Sequence, residues 1–220
     1  MPPTWPGCPP RRRERQDDRG ARVSGPTRWI VIGGGTAGCV VAARLSEDES
    51  NEVVLIEGGP DHGPGPVPDR GGAYLDDPAR LVPDLVVVRR RGGEPEPYAQ
   101  GFGLGGSTLV HGAVAAPDPG QAESDHLMPL EEPQRLGTLG AAMLDADPRT
   151  RPVLLARRDG QRVSAADAYL RPALHRPNLF VVTGSSVVQL GLQGWKVDRA
   201  ITDDGIEYRA DRFVVCAGAI

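Results

Sequence analysis

An α/β fold organised on a parallel sheet is what this sequence predicts, and three observations predict it. A short apolar run, "RWIVIG", passes directly into consecutive glycines at Gly33, Gly34 and Gly35. An alanine-rich segment follows, with Ala37, Val40, Val41, Arg44 and Leu45 at helical spacing. A second apolar run, "NEVVLIE", then ends on Glu57. Strand, tight turn, helix and buried-type strand in that order make half of a parallel βαβ unit.

The bulk composition agrees with a soluble globular domain. The chain has 220 residues, 39% of them hydrophobic and 25% charged, enough for one domain with a sizeable core. Aromatics are only 5%, so the core is built mainly from Val, Leu, Ile and Ala. A net charge of −4 carries no basic bias toward nucleic acid. Cys8, Cys39 and Cys216 are far apart with no CxxC spacing, which argues against a disulfide framework or a metal site and for a reducing, cytoplasmic setting. No apolar run approaches the ~20 residues of a membrane span, and the N-terminus has no apolar core of signal-peptide type.

Along the chain, residues 1–27 hold six prolines and a run of arginines without helical or strand period, and read as a disordered Pro/Arg-rich tail. Residues 28–57 are the strand–helix–strand unit. Residues 58–100 are rich in Gly, Pro and Asp and read as loop with one strand near Leu85–Arg90. A second glycine cluster, "GFGLGGSTLVHG", spans 101–112. A helix is expected near Leu136–Leu144. Another is expected to start at Ser164, whose spacing from Asp167 resembles a capping box, and to be kinked or ended by Pro172. "NLFVVTG", "SVVQLGLQG" and "RADRFVVCAGAI", with a turn at "TDDG", read as short strands in quick succession.

Gly33, Gly35 and Gly38 satisfy G-x-G-x-x-G between a strand and a helix. The first glycine permits the tight turn, the second lets a pyrophosphate approach the backbone, and the third lets helix and strand pack closely. The phosphates then meet the free N–H groups at the positive end of the helix. Glu57 stands 19 residues after Gly38, where an acid accepts hydrogen bonds from ribose hydroxyls and disfavours a 2′-phosphate. This pattern implies a dinucleotide and leaves NAD and FAD undivided.

Four blocks in order resemble the glucose–methanol–choline (GMC) family of FAD-dependent alcohol oxidoreductases. They are "VIGGGTAGCVVAARLSED…EVVLIEGGPD", "GFGLGGSTLVHG", "RVSAADAYLRPALHRPNLFVVTGSSV" and "VVCAGAI", and they cover most of residues 29–220. The resemblance implies a Rossmann-like FAD-binding domain over residues 28–220, a parallel sheet with added short antiparallel strands. FAD is the implied cofactor and a small-molecule alcohol the implied substrate. Gly33, Gly35 and Gly38 would hold the pyrophosphate, with Thr36 and Ala37 supplying amides, and Glu57 would bind the adenosine ribose. Gly105, Gly106, Ser107 and Thr108 match the loop that runs along the flavin and its phosphates. Val187 falls where a backbone meets the adenine, and Ala217 and Gly218 match a turn that passes close to the cofactor. His111 replaces the family's usual Asn beside the flavin ring and is expected to contact it non-covalently; the family's flavin-linking histidine stands one position earlier, at Val110 here.

The resemblance also sets expectations of incompleteness. Family members are typically much longer, and their catalytic histidine lies in a C-terminal substrate domain, so no catalytic residue is assigned in this chain. His62, His126 and His175 read as surface histidines. The implied activity is oxidation of a CH–OH group with hydride transfer to flavin, by a chain expected to be an inactive or incomplete fragment whose remaining half is carried on a separate chain. A non-catalytic FAD- or nucleotide-binding relic, or an NAD-dependent dehydrogenase domain, are the alternatives.

Overall fold

The computed structural model describes residues 25–64, 77–115, 128–133 and 137–218. The tail expectation over residues 1–24, the residue His126 and the terminal Ile220 lie outside them. The expected strand–helix–strand unit is present as β1 (Thr27–Ile32), α1 (Thr36–Leu45) and β2 (Asn51–Ile56). The strand starts at Thr27, one residue before the expected boundary.

The segment that follows is a long arm. Its paired strands β3 (Val86–Val87) and β4 (Glu96–Pro97) are two residues each. Hydrogen bonds from Val82 N to Gln100 O and from Tyr98 N to Leu85 O continue the ladder toward its base. A single strand over Leu85–Arg90 was expected; only Val86–Val87 is strand, and Val86 and Val88 are exposed, with no second layer on the arm among the described residues. Next come a 3₁₀ turn at Gly106–Leu109, β5 (Val114–Ala115), β6 (Leu130–Glu131) and α2 (Thr138–Ala146). β7 (Leu154–Arg158) then pairs antiparallel with β5, β6 and β8 (Gln161–Arg162).

Ser164 forms the reciprocal cap its sequence suggested: its hydroxyl donates to Asp167 Oδ2 at 2.6 Å, and Asp167 N donates back at 3.2 Å. The helix widens into a π turn at Ala166–Leu170 before α3 (Arg171–Ala173). Pro172 has no N–H to continue the ladder, and the helix ends one residue after it.

The chain closes with β9 (Leu179–Val182), β10 (Val187–Gln193), β11 (Lys196–Thr202), β12 (Glu207–Arg209) and β13 (Arg212–Val215). Strands β13, β1, β2 and β9 lie side by side in that order, all parallel, and β10–β12 form an antiparallel meander. Alternation along β1 and β2 sorts side chains to opposite faces. Val31, Val53 and Leu55 meet Cys39, Ala42 and Ala43 of α1 and the helical turn around Ala166–Leu170. Ile30, Ile32, Val54 and Ile56 meet Ala200, Tyr208 and Ala210 of the meander side. Covered on both faces, these strands read as continuous apolar runs, each large side chain contributing about 1.5–3 kcal/mol of burial. Among the described residues no helix is long and apolar enough to cross a membrane.

Candidate cofactor-binding groove

β1 has β2 on one side and β13 on the other, so the strand order reverses at β1. In open parallel sheets, ligands bind outside the carboxyl ends of the strands at such a reversal. A groove of about 550 Å³ opens there, floored by Ile32, Ile56 and Val215, the final residues of three strands.

The glycine turn is built for close approach. Gly33 adopts φ +95, and a Cβ on it would lie 2.5 Å from the Cys216 carbonyl oxygen. The second cluster meets the first backbone to backbone: Gly105 N donates to Gly34 O at 2.8 Å, and a Cβ on Gly106 would stand 2.6 Å from Gly35 Cα. Gly35 is the N-cap of α1 and provides no side-chain cap; the first turn holds no acid. The first intrahelical bond from this end is donated by Cys39 to Gly35 O. The amides of Thr36 and Ala37 therefore face the groove with the positive end of the helix behind them.

Glu57 closes the far end. Its Oε2 accepts from Gly34 N at 2.6 Å and its Oε1 from Gly59 N at 2.8 Å. Each oxygen keeps a further lone pair. Ser185 N donates to Glu57 O at 3.1 Å, which brings Ser186 and Val187 to the same end. Among the described residues that line the groove, Glu57 is the only charged one, and none is Lys, Arg or His.

Ten of the expected site residues line this groove: Gly33, Gly35, Thr36, Ala37, Glu57, Gly106, Ser107, Val187, Ala217 and Gly218. Gly38, Gly105, Thr108 and His111 stand behind it. Gly38 is buried where α1 packs on the Gly33 turn, and Gly105 packs on Ser164. The Thr108 hydroxyl donates to Gly105 O at 2.5 Å and accepts from Ala165 N at 2.9 Å, fixing the loop from below. Sequence reasoning did not select Val82, Gln100, Phe102, Ser186 or Cys216, which also line the groove. No local signal singled out Gln100 and Phe102, which flank Gly101 at its isolated bridge to Leu81. His62 is half-buried rather than a surface residue, its Nε2 2.8 Å from Phe102 O.

His111 Nδ1 accepts from Ala113 N at 2.8 Å, and Arg162 Nη1 lies 3.2 Å from the same nitrogen and donates to the His111 carbonyl. Burial, with the Arg162 charge adding to it, holds the imidazole below its usual 6.5. The folded chain thus favours the neutral ring. The stability from this preference is present above 6.5 and is lost as pH falls through 6.5 toward the lower folded value. Melting temperatures recorded between pH 7.5 and 5.5 are expected to fall less steeply in His111→Asn than in the wild type; parallel curves would refute this. Burial also pushes the Cys39 thiol up to about 12, so it is an inert core group that donates to Gly34 O. Among the described residues no group of His, Cys, Asp and Glu is arranged to hold a metal ion.

Comparison with known proteins places this geometry. No family model matches the chain. An uncharacterized GMC-type oxidoreductase of Rhodococcus erythropolis is 32% identical over an alignment of 256 residues, covering 87% of this chain and 50% of that protein. The crystal structure of pyridoxine 4-oxidase from Mesorbium loti superposes with a TM-score of 0.73 at 27% identity, over 88% of this chain and 50% of that one. The chain belongs to the GMC-type oxidoreductases. An oxygen-dependent choline dehydrogenase of Staphylococcus saprophyticus is a further GMC relative, 28% identical over 77% of this chain and 41% of its own length. The chain thus spans about half the length, or less, of the GMC relatives it matches.

Proposed function

We propose that this chain holds FAD in the groove and forms the cofactor-bearing part of an oxidoreductase acting on the CH–OH group of a small-molecule alcohol. The observation that carries the reading is the uncapped α1 end, open to the groove beside the touching Gly35 and Gly106, with Glu57 at the other end. That donor set fits a dinucleotide: neutral N–H and O–H groups for a pyrophosphate, and an acid for a ribose diol. Thr36 and Ala37 donate from the backbone, Ser107 from its hydroxyl, and the open lone pairs of Glu57 accept from the ribose. Val187 offers its backbone beside the adenine, and Ala217 and Gly218 line the flavin side. FAD, when bound, supplies a hydride acceptor.

FAD is favoured over NAD because the chain belongs to the GMC-type oxidoreductases and carries the later sequence blocks that a generic dinucleotide-binding domain lacks. Three separated cysteines support a cytoplasmic setting. None of the described histidines lines the groove, and no described residue is assigned as the group that removes the alcohol proton.

The test is a titration of the purified 220-residue chain with FAD, followed by fluorescence quenching and by flavin absorbance, with NAD as the competitor. Saturable FAD binding that NAD does not displace is expected, without bleaching on addition of choline or pyridoxine. Absence of FAD binding would sink the proposal. Gly35→Ala sharpens it. Gly35 has φ −72, which alanine adopts, and a Cβ there would be an unstrained 3.8 Å from Gly106 Cα. The variant should lose less than about 1 kcal/mol of stability, while its methyl group in the groove weakens FAD binding about 100-fold.

A further inference from the structure

The groove receives an anionic ligand, on the reading above, and none of the described residues on its walls carries a cationic side chain. Neutral donors must therefore take the phosphate charge. Thr36 and Ser107 sit on the two glycine loops, and Ser186 Oγ is packed against Gly58 at the adenosine end. The remaining long polar side chain is Gln100, at the base of the arm.

Gln100 is half-buried and is held by its own backbone, whose carbonyl accepts from Val82 N at 2.9 Å. Its side-chain amide forms no hydrogen bond to another described residue. Nε2 lies 3.4 Å from where a Cβ on Gly218 would stand, so the side chain reaches across the groove to the turn after β13. The next residue, Gly101, packs against the Gly106–Ser107 peptide, with a Cβ there only 2.2 Å from Gly106 O and 2.9 Å from Ser107 N. Gly106 in turn touches Gly35. Gln100 is thus a groove-lining residue one position from the glycine contacts of the pyrophosphate cradle, with two side-chain N–H donors.

We propose that Gln100 is a cofactor-binding residue, its side-chain amide donating to the pyrophosphate. This rests on the FAD reading and adds a residue to it that the glycine motifs do not contain. A charged acceptor orients the amide with its NH₂ toward the phosphate and strengthens the bond.

The experiment is equilibrium binding of FAD, ADP and adenosine to the 220-residue chain and to Gln100→Leu and Gln100→Glu, with the unliganded melting curve of each as a fold control. Loss of a hydrogen bond to a charged group should weaken FAD and ADP about tenfold in Gln100→Leu. Adenosine, which has no phosphate, should bind within about twofold of wild type. Gln100→Glu is nearly isosteric but anionic, so it should bind FAD and ADP more weakly still; a purely space-filling role would leave it like wild type. FAD and ADP affinities unchanged in Gln100→Leu, or adenosine falling by the same factor, would overturn the inference while leaving the FAD reading intact. A wild-type chain that binds neither FAD nor ADP would remove both.

Discussion

Gly38→Ala is expected to destabilise the chain by about 3 kcal/mol or more and to abolish FAD binding with it. A Cβ at this position would lie 1.8 Å from the Gly33 carbonyl oxygen and 2.9 Å from its carbon. Both atoms are backbone, and neither moves by a rotamer change. Gly33 is held by its N–H to Ile56 O at 2.8 Å, so the turn cannot give way without releasing β2. The helix must move instead. Its buried face is Gly38, Cys39, Ala42 and Ala43, a row of small residues that lets α1 lie close on β1 and β2. Lifting it opens that whole interface and shifts the Thr36 and Ala37 amides away from the groove. Thermal denaturation should show the midpoint falling by about 6–12 °C for a chain of this size. A shift under about 2 °C would mean that the helix seats differently from the geometry described. Set beside Gly35→Ala, the pair separates two duties of one motif: Gly38 serves the packing, Gly35 the ligand.

Glu57→Gln should have the second-largest effect, and on both counts. The two carboxylate oxygens each face a backbone donor, Gly34 N and Gly59 N. An amide can satisfy only one of them; its NH₂ then opposes the other N–H, leaving two donors without an acceptor in a half-buried turn. Hydrogen bonds to a charged group contribute about 1.5–3 kcal/mol, so a loss of about 2 kcal/mol is expected. The ribose would also lose one of its acceptors, and FAD affinity should fall about 100-fold or more. Denaturant unfolding at pH 7 gives the first number and FAD titration the second. A variant that unfolds like wild type but fails to bind would assign Glu57 to the ligand alone. A variant that does neither would remove it from the site.

Most of the first βαβ unit was legible in the sequence, because each signal there is local. "RWIVIG" and "NEVVLIE" announce strands covered on both faces, and Gly33, Gly35 and Gly38 serve a turn whose requirements are written into backbone sterics. Ser164 and Asp167 announced a cap only three residues apart, which the structure forms. The sheet of β5–β8 was not legible. Its members β5, β6 and β8 are two residues long, too short for alternation to register, and β5 and β6 pair with β7 across wide gaps in the chain. Residues 58–100, which include the arm strands, read as loop with one strand, because β3 and β4 are also only two residues long.

The sequence by itself determined the kind of ligand: a pyrophosphate against glycine amides, a ribose against an acid, and a family wording in four blocks. Those follow from residue type at short spacing, where steric and hydrogen-bonding rules act over a few bonds. Only the tertiary structure decided which residues share the groove. It set Gly106 against Gly35, moved Gly38, Gly105, Thr108 and His111 behind the walls, and carried Gln100 across to Gly218. The Gly106–Gly35 and Gln100–Gly218 placements depend on contacts between segments about 70 to more than 100 residues apart, set by the packing of the arm and β13 beside β1. No local pattern encodes such distances, because the energy that fixes them is the burial of whole faces against one another.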